Sequence, residues 1–173
     1  MTNCGALLWV QPAADEAQVR RLAGEMRGQV QACLALDQPL AYIYGWGGEA
    51  AVDNGARRLS SIGAWAGASA DAAAPYHYVV ATDVEAGWDE ELNRWYAEEH
   101  MPGLAAVPGN VRCARLRSDD GAPRYHACYD LVSPQVLERP EWLAVRHTEW
   151  SSRVRPHFRN TVRLMFRTLR DDR

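Results

Sequence analysis

VRCARLR-SDDGAP-RYHACYDL, from Val111 to Leu131, reads as two strands around a tight connection. Ser118-Asp119-Asp120-Gly121 is a turn signal, because Asp and Ser hydrogen-bond their own backbone and Gly accepts a positive φ. Val111 to Arg117 and Arg124 to Leu131 are the strands. In the second, Tyr125, Ala127, Tyr129 and Leu131 share one face; His126, Cys128 and Asp130 share the other.

Outward from this hairpin the pattern changes period. Trp88 to His100 (WDEELNRWYAEEH) reads as a helix, with acidic residues in the first turn, where the helix dipole favours them. Leu92, Trp95, Tyr96 and Glu99 fall on one side. Pro102-Gly103 disrupts the helix and Pro108-Gly109 closes the segment. Before it, Tyr76 to Asp83 (YHYVVATD) is a strand. After the hairpin, Ser133-Pro134 opens a helical region through Trp142, Val145 and Trp150, with a restart at Pro140 and an end at Pro156. Thr161 to Thr168 is the last strand, with Val162, Leu164 and Phe166 alternating against Arg163 and Arg167. The order is β-α-β-β-α-β, an α+β ferredoxin-like arrangement. Its helices cover one face of the sheet, so something must cover the other.

The first part of the chain supplies a candidate. Ala6 to Gln11 reads as a strand and Asp15 to Arg27 as an amphipathic helix. Val30 to Leu36 and Leu40 to Trp46 read as a hairpin around Asp37-Gln38-Pro39. Glu49 to Arg58 reads as a short helix, and Ser60 to Ala66 as a closing strand. The strand pairs VQACLAL/AYIYGW and VRCARLR/YHACYDL look alike, which suggests a degenerate internal repeat. One long helix from Asp15 to Leu36 is the competing reading. With Ala70 to Pro75 as linker, residues 1–70 and 71–173 are two ferredoxin-like repeats packed sheet to sheet, and the second carries any site.

Composition narrows the function classes. The chain has 173 residues, 47% of them apolar, and a formal net charge of -3. That balance gives no global case for nucleic acid or an anionic membrane as partner. All 19 basic residues are arginine, which removes lysine Schiff-base and P-loop chemistry. No apolar run approaches the ~20 residues of a membrane span, and no secretory signal pattern is seen; a cytoplasmic protein is expected. Cys4, Cys33, Cys113 and Cys128 have no CxxC spacing and read as free thiols. A disulfide between Cys113 and Cys128 would need them opposite each other on the paired strands.

Asn93-Arg94-Trp95-Tyr96-Ala97-Glu98-Glu99-His100-Met101-Pro102-Gly103-Leu104, followed by Val107-Pro108-Gly109, resembles the signature of EthD-like proteins in the dimeric α/β-barrel superfamily. Arg115 and Arg117, then Tyr125 and Tyr129, continue it, so the resemblance covers Tyr76 to Leu169. It implies two sheets packed into a barrel, within one chain or in a homodimer, and a ligand cleft between sheet and helices. Superfamily members include haem-degrading monooxygenases, chlorite dismutases, dye-decolourising peroxidases, lactone isomerases, cofactor-free quinone-forming monooxygenases and polyketide cyclases. The first half lacks the motif.

His100 and Tyr96 are the candidate catalytic pair. They are four apart on a helix, and a His beside a phenol suits proton transfer. His100 can equally cap the helix C-terminus. Trp95, Tyr129 and Trp150, with Trp142 and Tyr125, are candidates to line an aromatic cleft or simply to fill a core. His126 is a second acid/base candidate if its strand face lines the cleft. Arg153 leads a basic run with Arg155, His157 and Arg159 that can hold an anion or cap a helix end. No metal is expected, because Glu98, Glu99 and His100 point in different directions. No cofactor is expected either, although a haem would find candidate axial ligands only in His100, His126 and His147. The expected partner is a small molecule. The readings are cofactor-independent proton-transfer chemistry (isomerisation, cyclisation or oxygenation), non-catalytic binding, and haem binding.

Overall fold

The computed structural model describes residues 5–12, 15–47 and 55–169. The first half supplies β1 (Ala6–Pro12), α1 (Glu16–Glu25), β2 (Gln29–Ala35), β3 (Leu40–Trp46) and β4 (Arg57–Ala66). The second supplies β5 (Tyr76–Val84), α2 (Asp89–Trp95), α3 (Met101–Ala105), β6 (Asn110–Ser118), β7 (Tyr125–Leu131), α4 (Pro140–Arg146), α5 (Glu149–Val154) and β8 (Phe158–Leu169). The eight strands close into a barrel in the order β1-β3-β2-β8-β5-β7-β6-β4. The α+β, dimeric α/β-barrel type of architecture is therefore built within one chain. Each half contributes four neighbouring strands, β4-β1-β3-β2 and β8-β5-β7-β6.

The long-helix alternative for residues 15 to 36 fails. Asp15 caps α1 by accepting from the Gln18 backbone N–H at 2.8 Å, and the helix stops at Glu25. Gly28 then takes φ +89°, and β2 pairs with β3 from Gln29↔Trp46 to Leu34↔Ala41. The helix expected over Glu49 to Arg58 falls mostly outside the described residues; Arg57 and Arg58 open β4.

Pro102 does not end the central helix. The chain passes from α2 through a π-helical turn, Tyr96–His100, into α3, and the Met101 N–H donates to the carbonyl of Tyr96 five residues back. A proline ring clashes with the carbonyl four residues before it, and a widened turn relieves that clash while keeping the axis. His100 is thus held mid-helix.

Alternate residues of all eight strands fill the barrel interior, among them Leu8, Cys33, Tyr44, Leu59, Val79, Leu116, Cys128 and Phe166. Each half covers the other's apolar face there. On the outside of β5–β8, Leu92, Trp95, Tyr96, Met101, Leu104, Tyr129, Trp142 and Val154 form a second core against the helices. Burial of each large apolar side chain stabilises by about 1.5–3 kcal/mol. Cys113 belongs to this outer layer and Cys128 to the interior. Their registers, Cys113↔Tyr129 and Ala114↔Cys128, put the thiols on opposite faces, so they form no disulfide. Among the described residues no helix is long and apolar enough to cross a membrane.

Candidate functional site

The outer layer of the second half contains a cavity of about 50 Å³ between the sheet and the helices. Tyr78 and Val80 on β5 form its floor, since alternate residues of that strand face outward. Trp95, Tyr96, Leu104, Leu137, Trp142 and Phe158 form its walls. His100 projects into it from the π-helical turn. Arg146 at the end of α4, Arg155 after α5 and Arg163 on β8 complete the lining. A space of this size holds a few waters; ligand pockets typically run to about 300 Å³ or more.

His100 is 7% exposed. Its ring lies against Trp95, with centroids 4.2 Å apart at 29°, and edge-on to Tyr96 at 5.3 Å and 78°. The His100 Nδ1 is buried without a hydrogen-bond partner among the described residues. Burial, with the positive charges of Arg155, Arg115 and Arg146, pushes its pKa down from 6.5 to about 3. The imidazole is therefore neutral. The helix-cap reading does not hold, because the helix continues past His100 into α3.

Tyr96 is fully buried, and burial pushes its phenol up. The Arg115 guanidinium sits 3.7 Å over its ring. Arg115 is itself buried, donates to Asn93 Oδ1 at 3.0 Å and leaves its Nε unpartnered. On its far side it borders an open groove of about 300 Å³ with Ile62, Trp65 and Tyr125. That groove is the larger space. The smaller cavity has the chemistry, since it holds the buried imidazole. Trp95 is fixed through Nε1 donating to Glu99 Oε1 at 3.2 Å, and Thr148 donates to the same oxygen at 2.6 Å.

The remaining candidates divide. Tyr129 lies behind the cavity, stacked on Tyr78 at 5.9 Å and edge-on to Trp142 at 5.2 Å; it supports the floor rather than lining it. Trp150 and Arg153 lie outside the cleft. A break at Thr148, which caps α5, turns both toward α2, where Trp150 Nε1 and Arg153 donate to Glu91 Oε1 at 2.8 and 3.2 Å. His126 stands on the opposite face of β7, within the barrel. Its Nε2 is 3.0 Å from the Pro123 carbonyl, and burial pushes its pKa down to about 4. Period-2 alternation separates it from Tyr125 and from the cleft. Of the basic run only Arg155 reaches the cavity; His157 and Arg159 pair with Glu85 at 2.7 and 3.1 Å. Tyr78, Arg146 and Arg163 line the cavity without being singled out by sequence. The signal available was alternation, which puts Arg163 on the face opposite Leu164 and Phe166.

No protein-family model matches the chain, and no match is found among curated proteins. Solved structures do match in fold. An uncharacterised ferredoxin-fold protein from Listeria monocytogenes, related to antibiotic biosynthesis monooxygenases, aligns with TM-score 0.67 and 8% identity over 97% of this chain and 95% of its own. A haem-degrading enzyme from Listeria monocytogenes gives 0.61 and 10% over 94% and 98%. An anthrone oxidase-like protein gives 0.59 and 14% over 97% and 92%. At these identities the likeness shows the fold alone.

The residues present do not fit a haem. The cavity is about 50 Å³, and the His100 ring is already stacked on Trp95. His126 faces the barrel interior, and His147 lies at the exposed end of α4.

Proposed function

We propose that this protein binds a small apolar or aromatic metabolite in the cleft between the β5–β8 sheet and its helices, and that His100 moves a proton on it. The observation that carries this reading is the buried, unpartnered Nδ1 of His100 among aromatic walls. A buried polar atom without a partner is costly, and a ligand donor would satisfy it. The hydroxyls of Tyr78 and Tyr96 make no hydrogen bond among the described residues and are free to orient the ligand.

In this reading the neutral imidazole takes a proton from a substrate C–H or O–H, leaving an enolate or phenolate. Returning the proton to a different atom isomerises the compound, or completes a cyclisation if a carbon–carbon bond forms in between. Oxygenation would consume dioxygen as the oxidant. The ligand enters as the half-buried Arg146 and Arg155 and the exposed Arg163 swing outward, which widens the closed cavity of about 50 Å³ to take one or two rings. The motif from Asn93 to Gly109 supports kinship with EthD-like proteins, and the shared strand order of the two halves supports reading residues 1–70 and 71–173 as repeats. The fold likeness to an anthrone oxidase-like protein accords with an aromatic ligand.

A second reading, non-catalytic binding, is favoured by the low pKa of His100, about 3 in the free protein, because such an imidazole is a weak base at neutral pH. Benzene- and naphthalene-sized compounds titrated against tryptophan fluorescence and His100 ring NMR test the cleft. Binding that is lost when Val80→Trp fills the floor supports it; binding that survives, or that never moves the His100 signals, contradicts it. Turnover lost in His100→Gln with affinity retained separates catalysis from carriage.

A further inference from the structure

We propose that the ligand of this cleft is an anion, a small aromatic or apolar molecule whose carboxylate, phenolate or enolate is held by Arg146, Arg155 and Arg163. This rests on the cleft reading above and names the class of compound it accepts.

Three guanidinium groups from three separate elements meet at one cavity. No carboxylate pairs with any of them among the described residues. Among the described residues the one polar contact made by their side chains is a long one, Arg155 to the carbonyl of Arg146 at 3.5 Å. Elsewhere on the surface several arginines are paired, Arg94 and Arg153 with Glu91, Arg124 with Asp89, Arg167 with Glu16. Arg57, Arg58 and Arg139 also lack a carboxylate partner among the described residues, but at this cavity three such guanidinium groups line one space. At the cavity like charges gather with no carboxylate among the described residues to offset them, an arrangement that an anion stabilises. Helix-end complementarity accounts for Arg146, which closes α4. It does not account for Arg163, which is on a strand.

The rest of the cavity agrees with such a ligand. Tyr78, Trp142 and Phe158 offer rings for an apolar body, and the unpartnered His100 Nδ1 offers a polar contact at the inner end. The arrangement also links binding to chemistry. The charges of Arg155 and Arg146 help to hold His100 neutral. A bound anion offsets them and makes His100 a better base while the substrate is present.

The test compares acids with their uncharged isosteres: benzoate against benzamide and 2-naphthoate against 2-naphthamide, read by tryptophan fluorescence. The wild type is measured with Arg146→Gln, Arg163→Gln and the double variant, each checked for folding by circular dichroism. The expected result is an acid bound about tenfold or more tighter than its amide. That preference weakens with salt and is lost in the double variant. Amides that bind as well as the acids overturn the anion assignment and leave the cleft reading standing. An acid preference unchanged in the folded double variant overturns the role of the arginines. If neither pair binds, both readings fall.

Discussion

The imidazole of His100 lies against the indole of Trp95, ring centroids 4.2 Å apart and planes 29° from parallel. The contact holds a titratable group inside an aromatic wall, where its charged form is poorly solvated. Folded His100 has a pKa of about 3, against an ordinary value of 6.5. The unfolded chain therefore binds a proton that the folded chain refuses. Stability falls as pH drops from about 6.5 toward 3, by up to about 1.4 kcal/mol per pH unit. A His100→Gln variant should have a flatter urea midpoint between pH 6.5 and pH 4 than the wild type. An identical slope would place His100 in a wetter setting.

His77 brings the opposite sign, while its partner Asp130 shares the sign of His100. Within the barrel, His77 Nδ1 is 2.7 Å from Asp130 Oδ1, and Arg112 reaches Asp130 Oδ2 at 2.7 Å. Burial, the largest single influence, pushes the His77 pKa down, but the hydrogen bond to Asp130, the charge of Asp130 and the neighbouring Cys128 together outweigh it and leave the value at about 9. Burial pushes Asp130 up, and His77 with Arg112 outweighs that, leaving about 2. The His77 contribution is complete below pH 6.5 and is lost as pH rises through about 9. The Asp130 contribution is present above pH 3.8 and is lost as pH falls through about 2. Asp130→Asn should cost about 2–3 kcal/mol at pH 7, because His77 loses the partner that holds its proton and the buried ring becomes neutral. The cost should shrink at pH 10, as urea unfolding at the two pH values would show.

Gly109 has φ +94°, and a Cβ there would lie 2.6 Å from Val136 Cγ2. Gly109→Ala should destabilise by about 1–3 kcal/mol through backbone strain and overpacking. Thermal unfolding measures it, and a neutral result would contradict the packing of the Val107-Pro108-Gly109 turn.

Trp150→Phe and Arg153→Ala should leave the affinity of an aromatic ligand unchanged, since both side chains turn to Glu91 outside the cleft. Fluorescence titration of the two variants checks this. A drop of tenfold or more in either would return that residue to the site.

Much of this was legible in the sequence. The Ser118-to-Gly121 turn and the alternation on both sides of it define the β6–β7 pairing, and the four-residue spacing brings Tyr96 and His100 together. Alternation also separates His126 from Tyr125, but it does not say which face meets the helices; that depends on the barrel closing. Trp150 and Arg153 lie outside the cavity because a new helix starts at Thr148 and turns them toward Glu91, away from the continuation of α4. Arg146, Arg155 and Arg163 meet only in three dimensions, since nothing in their spacing joins a helix end, a turn and a strand.

The cleft is tested most directly by ring NMR of His100 during titration with 2-naphthoate. The expected result is a saturable shift of the His100 signals and a titration midpoint that rises above its ligand-free value near 3. His100 signals that stay fixed while the ligand saturates the protein would place binding elsewhere and contradict the site.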